Sequence, residues 1–152
     1  MPLKLQFASL SFSASVDQQT GALSVFDIVE EIRTQNVPLH LQSLVISISL
    51  EKTNRSAFAG KVFIHILTPD GKQAVVGNGD MQVPAEQKRV KAVFRFGGFP
   101  IMQFGDHRMV VSWLDEAGTK QGEAILDFEV IQVSQMTKTQ MFDPSGKGQL
   151  PN

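Results

Sequence analysis

Along most of this chain apolar and polar residues alternate one for one, in stretches bounded by Gly, Pro, Asp or Asn. A period of two puts every second side chain on the same face, which predicts strands with one buried side. The first stretch, residues 3–16, changes phase. Leu3, Leu5 and Phe7 share one parity; Leu10, Phe12, Ala14 and Val16 share the other. A one-residue shift near Ala8 and Ser9 predicts a β-bulge, which lets a long strand bend or pass between sheets. Residues 22–33 fit two periods. Val25, Ile28, Val29 and Ile32 form a helical stripe, whereas Phe26, Ile28 and Ile32 also fit a strand. Shortness, β-branched content and the preceding Asp17-Gln18-Gln19-Thr20-Gly21 turn favour the strand.

Farther on, Leu44, Ile46, Ile48 and Leu50 alternate within residues 39–51. Residues 61–68 place Val62, Ile64 and Ile66 on one face and Phe63, His65 and Leu67 on the other, as a central strand does. Pro69-Asp70-Gly71 predicts a turn into residues 72–83, where Gly77 and Gly79 mark a bulged edge. Residues 88–96 direct Val90, Ala92, Phe94 and Phe96 to one side and Arg89, Lys91, Val93 and Arg95 to the other. A connection over 97–105 carries Phe99, Ile101, Met102 and Phe104. The last two strands are 107–115 and 123–133, the latter with Glu123, Asp127 and Glu129 facing water. The rhythm stops at Ser134, so residues 1–133 read as one domain and 134–152 as a flexible polar tail. Short strands and frequent turns predict an all-β, antiparallel two-sheet β-sandwich of about seven or eight strands, with a closed barrel as the alternative.

The 152 residues suffice for one domain with a sizeable core. With 14 basic and 15 acidic residues, the net charge of −1 gives no bulk attraction to nucleic acid or an anionic membrane. Cysteine is absent, which excludes disulfides and thiolate metal sites. The opening residues alternate instead of forming a continuous apolar block, so the cytoplasm is the expected compartment. Asn54-Arg55-Ser56 matches a glycosylation triplet by chance in that setting.

Three stretches carry a resemblance. They are Gly21-Ala22-Leu23-Ser24-Val25-Phe26-Asp27-Ile28 with Pro38 closing the next connection, then Leu67-Thr68-Pro69-Asp70-Gly71-Lys72, then Gly98-Phe99-Pro100 followed by Gly105-Asp106-His107. Through them the chain resembles an uncharacterised bacterial β-sandwich family, a domain of unknown function. The resemblance implies an immunoglobulin-like fold and transfers no activity. The family pattern often has a Tyr where this chain has His107. The chain contains no Tyr, so a tyrosine-corner hydrogen bond is lost or replaced.

Residues suited to chemistry are scattered. His40, His65 and His107 lie on separate strands or strand entries, none at ligand-like spacing, and structural roles suit them better. There is no nucleophile elbow, and Gly77-Asn78-Gly79-Asp80 lacks the helix and Lys-Ser/Thr pair that cradle phosphate. Asp17, Asp70, Asp80, Asp106 and Asp115 stand singly in separate turns, where turn chemistry accounts for each. A loop-based ligand or calcium-like ion site built on Asp70, Asp80 and Asp106 is the second reading. Lys88, Arg89, Lys91 and Arg95 form the most localised charge feature. They read either as a patch for an acidic partner or as a solvated face paired with Glu123, Asp127 and Glu129. Val93, Val110, Leu114 and the 97–105 connection offer more apolar surface than one core absorbs. The Gly-containing edge strand could also accept a strand from a partner.

The expectation is a non-enzymatic protein-interaction or assembly module, binding a protein partner or itself as a homodimer. The surface candidates are Arg89, Lys91, Val93, Arg95, Phe99 and Phe104. No catalytic residue, metal, cofactor, small molecule, nucleic acid or membrane partner is expected.

Overall fold

In the computed structural model, which describes residues 2–134, the alternating stretches are strands and no helix forms among those residues. They are β1 (Leu3–Val16), β2 (Leu23–Ile28), β3 (Glu31–Thr34), β4 (Leu39–Lys52), β5 (Phe58–Leu67), β6 (Gln73–Val83), β7 (Arg89–Ile101), β8 (Gly105–Asp115) and β9 (Lys120–Gln132). Two sheets form, a four-stranded one in the order β2-β1-β4-β7 and a five-stranded one in the order β3-β9-β8-β5-β6. Hairpins join β5 to β6 and β8 to β9, while β4–β5, β6–β7 and β7–β8 cross between the sheets. That is the connectivity of an immunoglobulin-like sandwich, with β9-β8-β5-β6 as one layer and the β4–β7 pair in the other. The expected tail beyond Ser134 lies outside the described residues. Among these, no helix is long and apolar enough to cross a membrane.

The core is the inner parity of the alternation. Leu44, Ile46, Ile48 and Leu50 of β4 face Ile64 of β5 and Met109, Val111 and Trp113 of β8, all 2% exposed or less. Each such side chain contributes roughly 1.5–3 kcal/mol when taken fully out of water. Trp113 needs Gly122 beneath it, because a Cβ there would come 2.5 Å from the indole. Phe58 begins β5 and is buried.

Three expectations are corrected. Residues 22–33 form two strands, because Asp27 takes φ 59° and the chain then changes sheets. Val29 N–H still bonds Leu10 C=O in the first sheet, whereas Glu30 C=O already accepts from Glu129 N–H in the second. The resulting β3–β9 pair is parallel, so the sandwich is not wholly antiparallel. The bulge in β1 falls between Leu5 and Phe7, at Gln6, and turns Phe7 outward opposite Ser49. Much of the supposed 97–105 connection is strand: β7 continues to Ile101, with Phe99 opposite Leu41.

After Ser11 the first strand parts from β4 and pairs only with β2. Three donors on the outer face of β4 and β7 catch the departing hairpin. Ser43 Oγ–H donates to Phe12 C=O at 2.8 Å, Arg95 Nη2 to Ala14 C=O at 2.8 Å, and Lys91 Nζ to Gly21 C=O. The β1–β2 hairpin therefore lies back across its own sheet as an arm. Beneath it Ser9, Ser11, Ala14, Val45 and Ser47 are buried, apart from the main core. At the far end of β4 the buried Lys52 donates through Nζ to the carbonyls of Ser56 (3.0 Å), Pro84 (2.5 Å) and Ala85 (2.9 Å). An ammonium has three protons, and here each has an acceptor.

Candidate functional site

Nothing covers the outer face of the five-stranded sheet among the described residues. The pairing registers align its side chains in rows across β6, β5, β8 and β9. One row runs Val75–His65–Val110–Ile125. Its neighbours run Asn78–Phe63–Ser112–Glu123 on one side and Gln73–Leu67–Arg108–Asp127 on the other. Val75, Ile125 and Leu67 are 54%, 49% and 37% exposed. Phe63, His65, Val110 and Leu114 are half-buried among them. This makes a contiguous apolar strip crossing four strands, of the kind that soluble monomers usually keep small.

Both ends of the strip are concave. At one end a cavity of about 550 Å³ lies between Lys61, Phe63, Asp80, Gln82 and Leu114 and the β8–β9 turn. At the other, an open depression of about 690 Å³ is lined by Leu67, Pro69, Asp106, Arg108, Asp127 and Glu129. The Arg108 guanidinium grips Asp127 with two bonds of 2.7 and 3.1 Å. The hydrogen bond, reinforced by charge, holds the Asp127 carboxyl below its ordinary value and raises Arg108. Asp70, at the rim, is likewise lowered, first by the Thr68 hydroxyl at 2.5 Å and then by the Lys72 amide. These are fixed, paired charges rather than groups poised to exchange protons.

The candidate residues named from sequence fall elsewhere. Arg89, Lys91, Val93 and Arg95 do share one face of β7, but it is the outer face of the four-stranded sheet. Lys91 and Arg95 are engaged by the arm, and Val93 is half-buried between them. The suggested pairing of this basic row with Glu123, Asp127 and Glu129 is corrected: the two rows lie on opposite sides of the molecule. Phe99 is a core residue, 6% exposed and edge-on to Phe96, rather than a surface group. Phe104 is half-buried and packs against the core.

The ionisable residues do not converge. His107 is buried, stacked on Phe128 at 4.9 Å, with Nδ1 3.0 Å from Gly105 C=O; ring stacking occupies the place a tyrosine would take. His65 sits in the apolar strip and His40 is exposed on β4. Asp17 accepts from the amides of Gln19 and Thr20, and Asp115 from that of Thr119, so each closes its own turn. Among the described residues no three His, Cys, Asp or Glu are grouped to hold a metal ion. Sequence reasoning did register Val110 and Leu114 as surplus apolar groups. It missed Val75 and Ile125, whose signal was apolar residues at water-facing parity in β6 and β9.

The sequence matches a family of unknown function, DUF6941, over residues 6–136. No curated protein matches. Among solved structures the sandwich is similar to part of a β-glucosidase from Erythrobacter marinus, with TM-score 0.50 at 11% identity over 85% of this chain and 15% of that one. A β-glucosidase from Listeria innocua gives 0.49 at 10% identity, over 84% and 16%. A Pseudomonas fluorescens alkylpurine DNA glycosylase, AlkC, gives 0.44 at 17% identity, over 66% and 27%. The chain thus spans about a sixth of these β-glucosidases, and its likeness to the Erythrobacter marinus protein is one of fold alone.

Proposed function

Since the chain belongs to DUF6941, a family of unknown function, we propose a role from its geometry: a non-enzymatic protein-interaction module that binds through the outer face of the five-stranded sheet. The observation that carries this reading is the Val75–His65–Val110–Ile125 row, in which Val75 and Ile125 stay about half exposed beside the half-buried His65 and Val110. Covering a half-exposed Val or Ile recovers about half of its burial energy, on the order of 1 kcal/mol each. Several together, beside shallow cavities that accept protruding side chains, suit a protein surface better than a small ligand. The edge of β6 is the weaker alternative. Its ladder with β5 is broken by a bulge between Ile64 and His65, and bulged edges resist an added strand. The cytoplasm is the compartment this reading expects.

A photo-crosslinking amino acid placed at Ile125 or Val75 tests the reading inside the producing cell. Protein adducts are expected from both positions and not from Glu86, an exposed control in the turn between β6 and β7. Adducts from Glu86 alone, or from none of the three, would overturn it.

A further inference from the structure

We propose that the β1–β2 arm is a hinged cover, in equilibrium between its seated position and a lifted one that bares the outer face of the four-stranded sheet. The inference goes beyond the reading of the five-stranded face and stands whether or not that face binds a protein. The hinge is built on both strands of the hairpin. Ser11 is the last residue of β1 opposite β4, where it pairs with Val45, and across from it on β2 stands Ile28. One residue farther in, the buried Val29 donates its N–H to Leu10 C=O at 2.8 Å. Residues 12–28 therefore leave the sheet and return to it at a single point.

Little fastens the arm beyond that point. Among the described residues β2 is laddered to β1 alone, and past Ser11 no ladder joins the arm to β4 or β7. Of residues 12–28 only Ala14 is fully buried, and none belongs to the main core. Apolar burial, the usual adhesive between layers, is limited to Ala14 and Val45, with Leu23 and Val25 half-buried. What remains is three side chains reaching up to backbone carbonyls: Ser43 at the root, Arg95 at Ala14 and Lys91 at the tip.

Seating the arm also carries a penalty that lifting removes. Ser9 and Ser47 face each other across β1 and β4, 5% and 0% exposed, and neither hydroxyl has a hydrogen-bond partner. With the arm raised, water reaches both. A weakly fastened layer over a floor that prefers water is a segment that opens well below global unfolding. Lifting frees the Lys91 ammonium and the Arg95 guanidinium beside the hydroxyls of Ser43, Ser47 and Ser49, a polar and cationic surface that the seated arm keeps occupied.

Because the chain lacks cysteine, a single introduced thiol serves as reporter. In the whole chain carrying Ser47→Cys, the rate of reaction with iodoacetamide reads how often the arm lifts. It is expected to exceed by more than about a hundredfold the rate in Val111→Cys, whose core site opens only on global unfolding. It should also stay nearly flat in dilute urea, where the Val111→Cys rate climbs, because lifting exposes little surface. Ser13→Cys, exposed on the arm, sets the unhindered rate, and Ser47→Cys should fall clearly below it. Added to Ser47→Cys, Arg95→Met should speed labelling about tenfold, and Ser9→Ala should slow it about fivefold. Thermal melts check folding; where Ser47→Cys melts early, Ser9→Cys takes its place, with Ser47→Ala as the slowing change. Equal rates and urea slopes for Ser47→Cys and Val111→Cys overturn the proposal. So does a Ser47→Cys rate matching that of Ser13→Cys, which would mean no seated state, or one that neither Arg95→Met nor Ser9→Ala moves.

Discussion

The outer faces of the two sheets obey the same alternation and end in opposite conditions. On the four-stranded sheet the outward positions Ser9, Ser11, Val45 and Ser47 are small and wholly buried. An arm of the same chain roofs them, held by a hydroxyl and two cations that reach its carbonyls. On the five-stranded sheet the outward positions Phe63, Val75, Val110 and Ile125 are large and remain in water. Small side chains let a second layer settle close above; large ones stand proud of the sheet, and no part of the described chain settles on them. The roofed face also carries a defect, because the hydroxyls of Ser9 and Ser47 are buried with no hydrogen-bond partner. Such a group costs about 1–3 kcal/mol.

Perturbations of the two faces should therefore diverge. The largest effect is expected where the floor of the open face is tightest. A Cβ at Gly60 would lie 1.9 Å from the Leu114 carbonyl oxygen, so Gly60→Val must part β5 from β8. Urea unfolding should show a loss beyond the roughly 1–3 kcal/mol of ordinary overpacking. Gly79, with open space around its Cα, is the control: Gly79→Val should change stability by less than about 0.5 kcal/mol. Next comes the same kind of enlargement on each face. Ser47→Phe must lift the arm, costing about 1–3 kcal/mol and speeding amide exchange over residues 12–28. Val75→Phe should stay within about 0.5 kcal/mol. Equal losses from both would erase the contrast.

A smaller effect separates two serines of the roofed face. Ser47→Ala removes an unpartnered hydroxyl and should raise stability by about 1 kcal/mol, whereas Ser43→Ala loses the bond to Phe12 and should lower it by about as much. The smallest concerns Asp127 on the open face. Its carboxyl is depressed in the folded chain, so its contribution is complete above the unfolded value of about 3.9 and fades as pH falls through the native one. Asp127→Asn should flatten that part of the acid slope and leave stability above pH ~6 nearly unchanged, because the pair is solvent-exposed.

The inner half of this architecture was legible because alternation by two is a local property. Leu44 through Leu50 and Val90 through Phe96 face inward as their parity requires. The outer half was not, since parity tells which side chains leave the core and says nothing of what they meet next. Lys91 and Arg95 read as a solvated or anion-binding row, yet their acceptors are carbonyls some seventy and eighty residues earlier in the chain. The Gln6 bulge was displaced in the reading because Ala8 and Ser9 are too small to declare a side until Leu10 resumes the pattern. Asp27 hid the break between β2 and β3, since a positive φ at a non-glycine residue leaves no mark on hydrophobic periodicity.

The capture of Lys52 has a chemical corollary. An acylating reagent must reach the amine nitrogen, and the Nζ of Lys52 lies buried behind the three carbonyls that hold it. Reagents that acylate lysine should mark Lys72, whose side chain is 86% exposed, and pass over Lys52 while the chain is folded. Its modification would then time the moment at which the end of β4 lets go of its neighbouring loops.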